Sequence, residues 1–69
     1  MAFAIGDKIR VVQQGRLNGA PKRIEFLAVI TYLDGRRAEY EGCGHKGGFA
    51  LDSIMVGKMT TYGGIFPAR

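Results

Sequence analysis

Cys43 and His45 are the residues whose types suggest metal or nucleophile chemistry, and the sequence holds one cysteine and one histidine in all. A structural zinc needs four ligands at recognisable spacing. A thiol nucleophile needs a base that a third group orients. Two residues set two apart in Gly42-Cys-Gly-His-Lys-Gly-Gly48 supply neither. The expectation is therefore a chain without catalytic activity, metal or cofactor, with a partly buried Cys43 and an exposed His45.

The chemistry that remains is charge. Ten Lys and Arg stand against six Asp and Glu, a formal charge of +4. Such a balance favours an anionic partner, either nucleic acid or an acidic protein surface. Arg16, Lys22, Arg23, Arg36, Arg37 and Lys46 sit in or beside predicted loops. The run Arg16-Leu-Asn-Gly-Ala-Pro-Lys22, with Arg23 next to it, is the most basic stretch and contains no acid. If it shares one end of the fold with the Asp34-Gly35 turn, these residues form one patch able to contact phosphates. Tyr32 and Tyr40 would offer stacking faces there, but their parity along the strands points both inward. Arg36 and Arg37 have a competing use, pairing across strands with Glu39 or Glu25.

The elements that must carry these side chains read as strands. Lys8 to Gln14 alternates Ile9 and Val11 with Lys8 and Arg10, the period of a half-buried strand. Asn18-Gly19 and Pro21 mark the following stretch as a loop. Arg23 to Leu33 is a long second strand, bent near Leu27-Ala28, with Ile24, Phe26, Ala28, Ile30 and Tyr32 on one face. A three-residue turn with Gly35 left-handed in a bulge pairs Ile30 with Ala38 and Ala28 with Tyr40. It gathers the apolar residues on one side, which a two-residue Asp34-Gly35 turn does not. Arg36 to Glu41 is then the third strand.

Four glycines in Gly42–Gly48 predict a mobile or irregular loop. Asp52-Ser53 suits a short 3-10 turn. Met59 to Tyr62 reads as a final strand, and 63–69 as a loosely held tail. Sixty-nine residues make a single domain, 1–69. Met1 to Gly6 is shorter than the apolar region of a secretory signal. No run approaches the roughly 20 apolar residues of a membrane span. One cysteine forms no internal disulfide, which favours a reducing, cytoplasmic setting and no membrane partner.

Gly6-Asp7-Lys8-Ile9-Arg10-Val11 resembles the Gly-Asp-x-Val-x-Val opening of the small SH3-like barrels, including the KOW-type modules of translation and transcription proteins. The likeness covers about residues 5–57 in layout. It implies an all-β fold, a small SH3-like, strongly bent five-stranded antiparallel barrel, with Leu51 to Ile54 as the one-turn 3-10 element before the last strand. The plasmid-type dihydrofolate reductases have a similar start. Their Val-Gln-Ile-Tyr active-site segment has no counterpart here, and that activity is excluded. One fold hosts many functions, so the site must decide. The leading expectation is a binding module that holds nucleic acid through basic loops. The alternative is a protein-binding adaptor or inhibitor of the phage or mobile-element accessory type, acting by blocking a larger protein. An open strand edge would also permit a homo-oligomer by strand addition.

Overall fold

Two left-handed turns set the course of the chain. In the computed structural model, which describes residues 3–68, Asn18 (φ 53°) and Gly19 (φ 79°) close one hairpin, and Cys43 (φ 50°) and Gly44 (φ 79°) close another. Positive φ at both central residues defines the two-residue turn whose twist matches that of paired strands. The resulting elements are β1 (Lys8–Leu17), β2 (Ala20–Leu33), β3 (Arg37–Gly42), β4 (His45–Ala50) and β5 (Gly63–Pro67). They form one sheet in the order β4-β3-β2-β1-β5, with every neighbouring pair antiparallel. Among the described residues no ladder joins β4 to β5, so hydrogen bonds do not close the sheet. No helix there is long and apolar enough to cross a membrane.

Both turns correct the sequence reading. The stretch 16–22 is not a loop: β1 runs on to Leu17 and pairs with β2 from Ala20, with Arg16 opposite Pro21. Gly42–Gly48 is likewise no irregular loop but a tight turn followed by β4. The positions of Met59–Tyr62 and the tail are reversed as well. Residues 60–63 form a turn, and Gly63–Pro67 is the fifth strand. Around Asp52-Ser53 the chain makes separate turns, with Ser53 N–H on Ala50 O and Val56 N–H on Ser53 O.

The third correction concerns register. Leu33 pairs with Ala38 and Tyr32 with Glu39, but Ile30 pairs with Tyr40. Thr31 is therefore one extra residue, a bulge in β2, and its hydroxyl donates to Glu39 O. An extra residue reverses the alternation beyond it. Ile24, Phe26, Ala28 and Ile30 keep the inward face, whereas Tyr32 turns outward and is 45% exposed. Gly35 is not left-handed. The connection is instead held by Asp34, whose N–H donates to Arg37 O and whose Oδ1 accepts the N–H groups of Arg36 and Arg37 at 2.7 and 2.9 Å.

The core draws on every strand: Ile9 and Val11, Phe26, Ala28 and Ile30, Ala38 and Tyr40, Phe49, and Ile65. Burial of each large apolar side chain contributes about 1.5–3 kcal/mol. Val12 is also fully buried although alternation puts it on the other face. Its partner across β5 is Gly64, and Lys58 O and the Phe66 ring crowd the outer side of that glycine. The returning segment thus covers the middle of the outer face and leaves the β1–β2 tip bare.

Candidate nucleic-acid interface

β1 and β2 are longer than the strands that flank them. The last β1 residue paired with β5 is Gln13, and the last β2 residue paired with β3 is Val29. Gln14 to Leu17 thus extends past β5 by four residues, roughly 13 Å at 3.3 Å each. Ala20 to Ala28 likewise runs on past β3. The hairpin tip is a two-stranded arm, and it carries Arg16, Lys22 and Arg23. From Gln13 to Ile24 the sequence contains no acid.

Cross-strand pairing fixes where these cations stand. Gln14 pairs with Arg23, Gly15 with Lys22 and Arg16 with Pro21. Arg16 and Arg23 share the outer face in a diagonal relation of about 7–8 Å, and Lys22 alternates to the opposite face. All three are exposed, and among the described residues none lies within 4.0 Å of a carboxylate. Arg16 Nη1 donates to Gly19 O at 3.2 Å, which steadies the tip. Arg10, further along the same face, is already engaged: it meets Glu25 at 3.0 Å and stacks on Phe66 at 5.0 Å.

The remaining expected site residues are elsewhere. Arg36, in the turn, and Arg37, the first residue of β3, stand at the far end of β2, ten residues or about 33 Å along the strand from Arg23 to Leu33. The structure does not bring them to the arm. Arg37 pairs with Glu39 at 3.6 Å, and Lys46 on β4 lies 4.0 Å from Glu41. That far end is organised by an anion. Tyr32 O–H donates to Asp34 Oδ2 at 2.7 Å. This bond, with the Arg36 and Arg37 amides, lowers the Asp34 carboxyl to about 2, and the same bond raises the Tyr32 phenol above its ordinary value.

An aromatic at the arm comes from a residue that strand parity did not single out. Tyr62 lies in the Thr60–Gly63 turn, closed by Thr60 N–H on Gly63 O at 2.8 Å and Gly63 N–H on Thr60 O at 3.1 Å. Gln14 docks that turn on β1: its N–H donates to Tyr62 O and its Nε2 to Thr60 O, both at 3.1 Å. The residue is 72% exposed. Thr61 and Tyr62 close one side of an open depression of about 440 Å³ whose other side is Arg16, Pro21, Lys22 and Arg23. Of the two expected stacking residues, Tyr40 is buried and Tyr32 is tied to Asp34. The signal for Tyr62 was the Gly63-Gly64 pair directly after it, which permits a sharp turn.

Cys43 and His45, both exposed, make contacts with β2. The thiol of Cys43, exposed rather than partly buried, donates to Leu27 O at 3.6 Å. The His45 ring stacks on Phe26 at 4.5 Å and 20°. No three His, Cys, Asp or Glu side chains gather into a metal-binding group among the described residues. Compared with protein-family models, curated proteins and solved structures, the chain matches none.

Proposed function

We propose that this chain is a non-catalytic binding module that holds nucleic acid on the β1–β2 arm. The observation that carries this is the projecting, acid-free hairpin tip with three exposed cations that have no carboxylate partner among the described residues. Each such cation can displace a condensed counterion from a phosphate, which is the main source of sequence-independent affinity. Two strands with solvent on both faces also let phosphates approach from either side. The Gly6-Asp7 entry into β1 and the return of β5 to β1 support the SH3-like barrel type for this module. A cytoplasmic setting, where Cys43 stays a free thiol, belongs to the same proposal.

The test is binding of a mixed-sequence oligonucleotide at low salt. The wild-type chain binds, and Arg16→Glu/Lys22→Glu/Arg23→Glu abolishes binding while the melting profile stays native. Absence of wild-type binding at low salt sinks the proposal. One observation favours a protein partner instead: Leu27, 57% exposed, lies beside Val29 on the outer face of β2. For that role, a specific captured protein lost on Leu27→Asp is the expected result.

A further inference from the structure

Three candidates go beyond the cation cluster alone, two of them away from it and one beside it. The Asp34 turn is fully accounted for by its internal hydrogen bonds. The apolar stripe of Leu27 and Val29 has nothing beside it that identifies an occupant. The depression between the arm and the Thr60–Gly63 turn is different, because its two walls carry complementary chemistry. One wall includes Arg16 and Arg23, and the other includes Tyr62, which is largely exposed.

We infer that the partner is single-stranded, with one unpaired base stacked on Tyr62 and the adjoining phosphates held by Arg16 and Arg23. This rests on the nucleic-acid reading of the arm and goes beyond it by naming the strand state. A duplex already stacks its bases on one another, so that it offers phosphates and, in its grooves, base edges, but no free base face. An exposed ring adds nothing to duplex binding, whereas every unpaired base has a face that stacks on it. The volume of about 440 Å³ lies in the range of pockets that take small molecules, so it admits one base. The open mouth lets the strand continue in both directions. The backbone that carries the ring is held at two points, by Gln14 N–H on Tyr62 O and by Tyr62 N–H on Thr60 Oγ1 at 3.2 Å. Those anchors are main-chain groups, so replacing the Tyr62 side chain leaves the turn in place.

The experiment compares a labelled 12-nucleotide single strand, as DNA and as RNA, with the same DNA annealed to its complement, by fluorescence anisotropy at low salt. Both single strands are expected to bind more tightly than the duplex. Tyr62→Ala is expected to weaken single-strand binding by roughly 5- to 150-fold, with the salt slope unchanged because no charge is lost. Tyr62→Phe is expected to keep wild-type affinity. The chain has three tyrosines and no tryptophan, so stacking also quenches tyrosine emission in the wild type and not in Tyr62→Ala. Duplex binding at least as tight as single-strand binding, or Tyr62→Ala within about twofold of wild type, overturns the inference. In that event loss of binding in Arg16→Glu/Arg23→Glu still upholds the arm as the interface. No binding by any oligonucleotide removes both.

Discussion

Gly47 stands directly across the β3–β4 ladder from Tyr40, and the phenol lies where a side chain at position 47 would be. A Cβ there would meet the phenolic oxygen at 2.5 Å and Cζ at 2.7 Å. The ring has little freedom to retreat. It packs between Phe26 and Phe49, with centroids 6.0 and 6.4 Å away, and its oxygen accepts from Gln13 Nε2 at 3.3 Å. Gly47→Ala is therefore expected to destabilise the fold by about 1–3 kcal/mol in chemical denaturation. Gly15→Ala is the comparison, since nothing lies within 4 Å of the added methyl. That variant is expected to be neutral or slightly stabilising. Equal midpoints for the two would show that Tyr40 moves aside freely.

The two turns of the β2–β3–β4 meander respond oppositely to alanine. Gly44 holds φ +79°, a conformation that costs an L side chain roughly 1–2 kcal/mol, and Gly44→Ala is expected to lose about that much stability. Gly35 has no positive φ and open space around it. Gly35→Ala is expected to stay within about 0.5 kcal/mol of wild type. A large loss at Gly35 would restore the left-handed bulge that the sequence pattern suggests.

The contrast between those glycines also explains what was legible in the sequence. Strict alternation marked Ile9, Val11, Phe26, Ala28 and Ile30 as core, because burying one face of a strand imposes that period. The bulge at Thr31 was not legible. It arises from long-range pairing of Leu33 with Ala38, and no residue type demands it locally. Tyr32 was misplaced for that reason alone. The glycines at 42–48 misled in the opposite sense. Their density looked like disorder, yet Gly44 makes a turn and Gly47 makes room for Tyr40. Of the candidate site, Arg16, Lys22 and Arg23 were visible as a run without acids. That Arg36 and Arg37 belong to the other end follows from the meander order, and Tyr62 reaches the arm only through Gln14.

Acid should expose the role of Asp34. Its carboxyl titrates at about 2 in the folded chain against 3.8 as an ordinary aspartate. As pH falls between those values the unfolded chain takes up the proton first, so folding loses stability. The contribution is complete above about pH 5 and is lost progressively as pH falls toward about 1. Asp34→Asn, which keeps an oxygen for the Arg36 and Arg37 amides, is expected to flatten this part of the stability profile in melts from pH 2 to 6. The Tyr32 phenol, shifted upward chiefly by the same hydrogen bond, acts on the other limb. Its contribution is present below about pH 10 and is lost as pH rises through the higher folded value. Identical acid limbs for the wild type and Asp34→Asn would contradict the tie between Tyr32 and Asp34.

Salt dependence should separate the two basic ends of the molecule. If Arg16, Lys22 and Arg23 each neutralise one phosphate of a single strand, log affinity falls with log salt at a slope of about −2. Each alanine substitution among them is expected to reduce that slope by about 0.7. Arg36→Ala and Arg37→Ala should leave it unchanged. They lie at the opposite end of β2, about 33 Å along the strand, or about three times the roughly 10 Å screening length at 0.1 M salt. Arg37 moreover already faces Glu39. Anisotropy titrations across a salt series read all five variants on one scale. If the Arg36 and Arg37 variants change the slope as much as the arm variants do, the chain attracts polyanions by its net charge. The hairpin tip would then hold no special position.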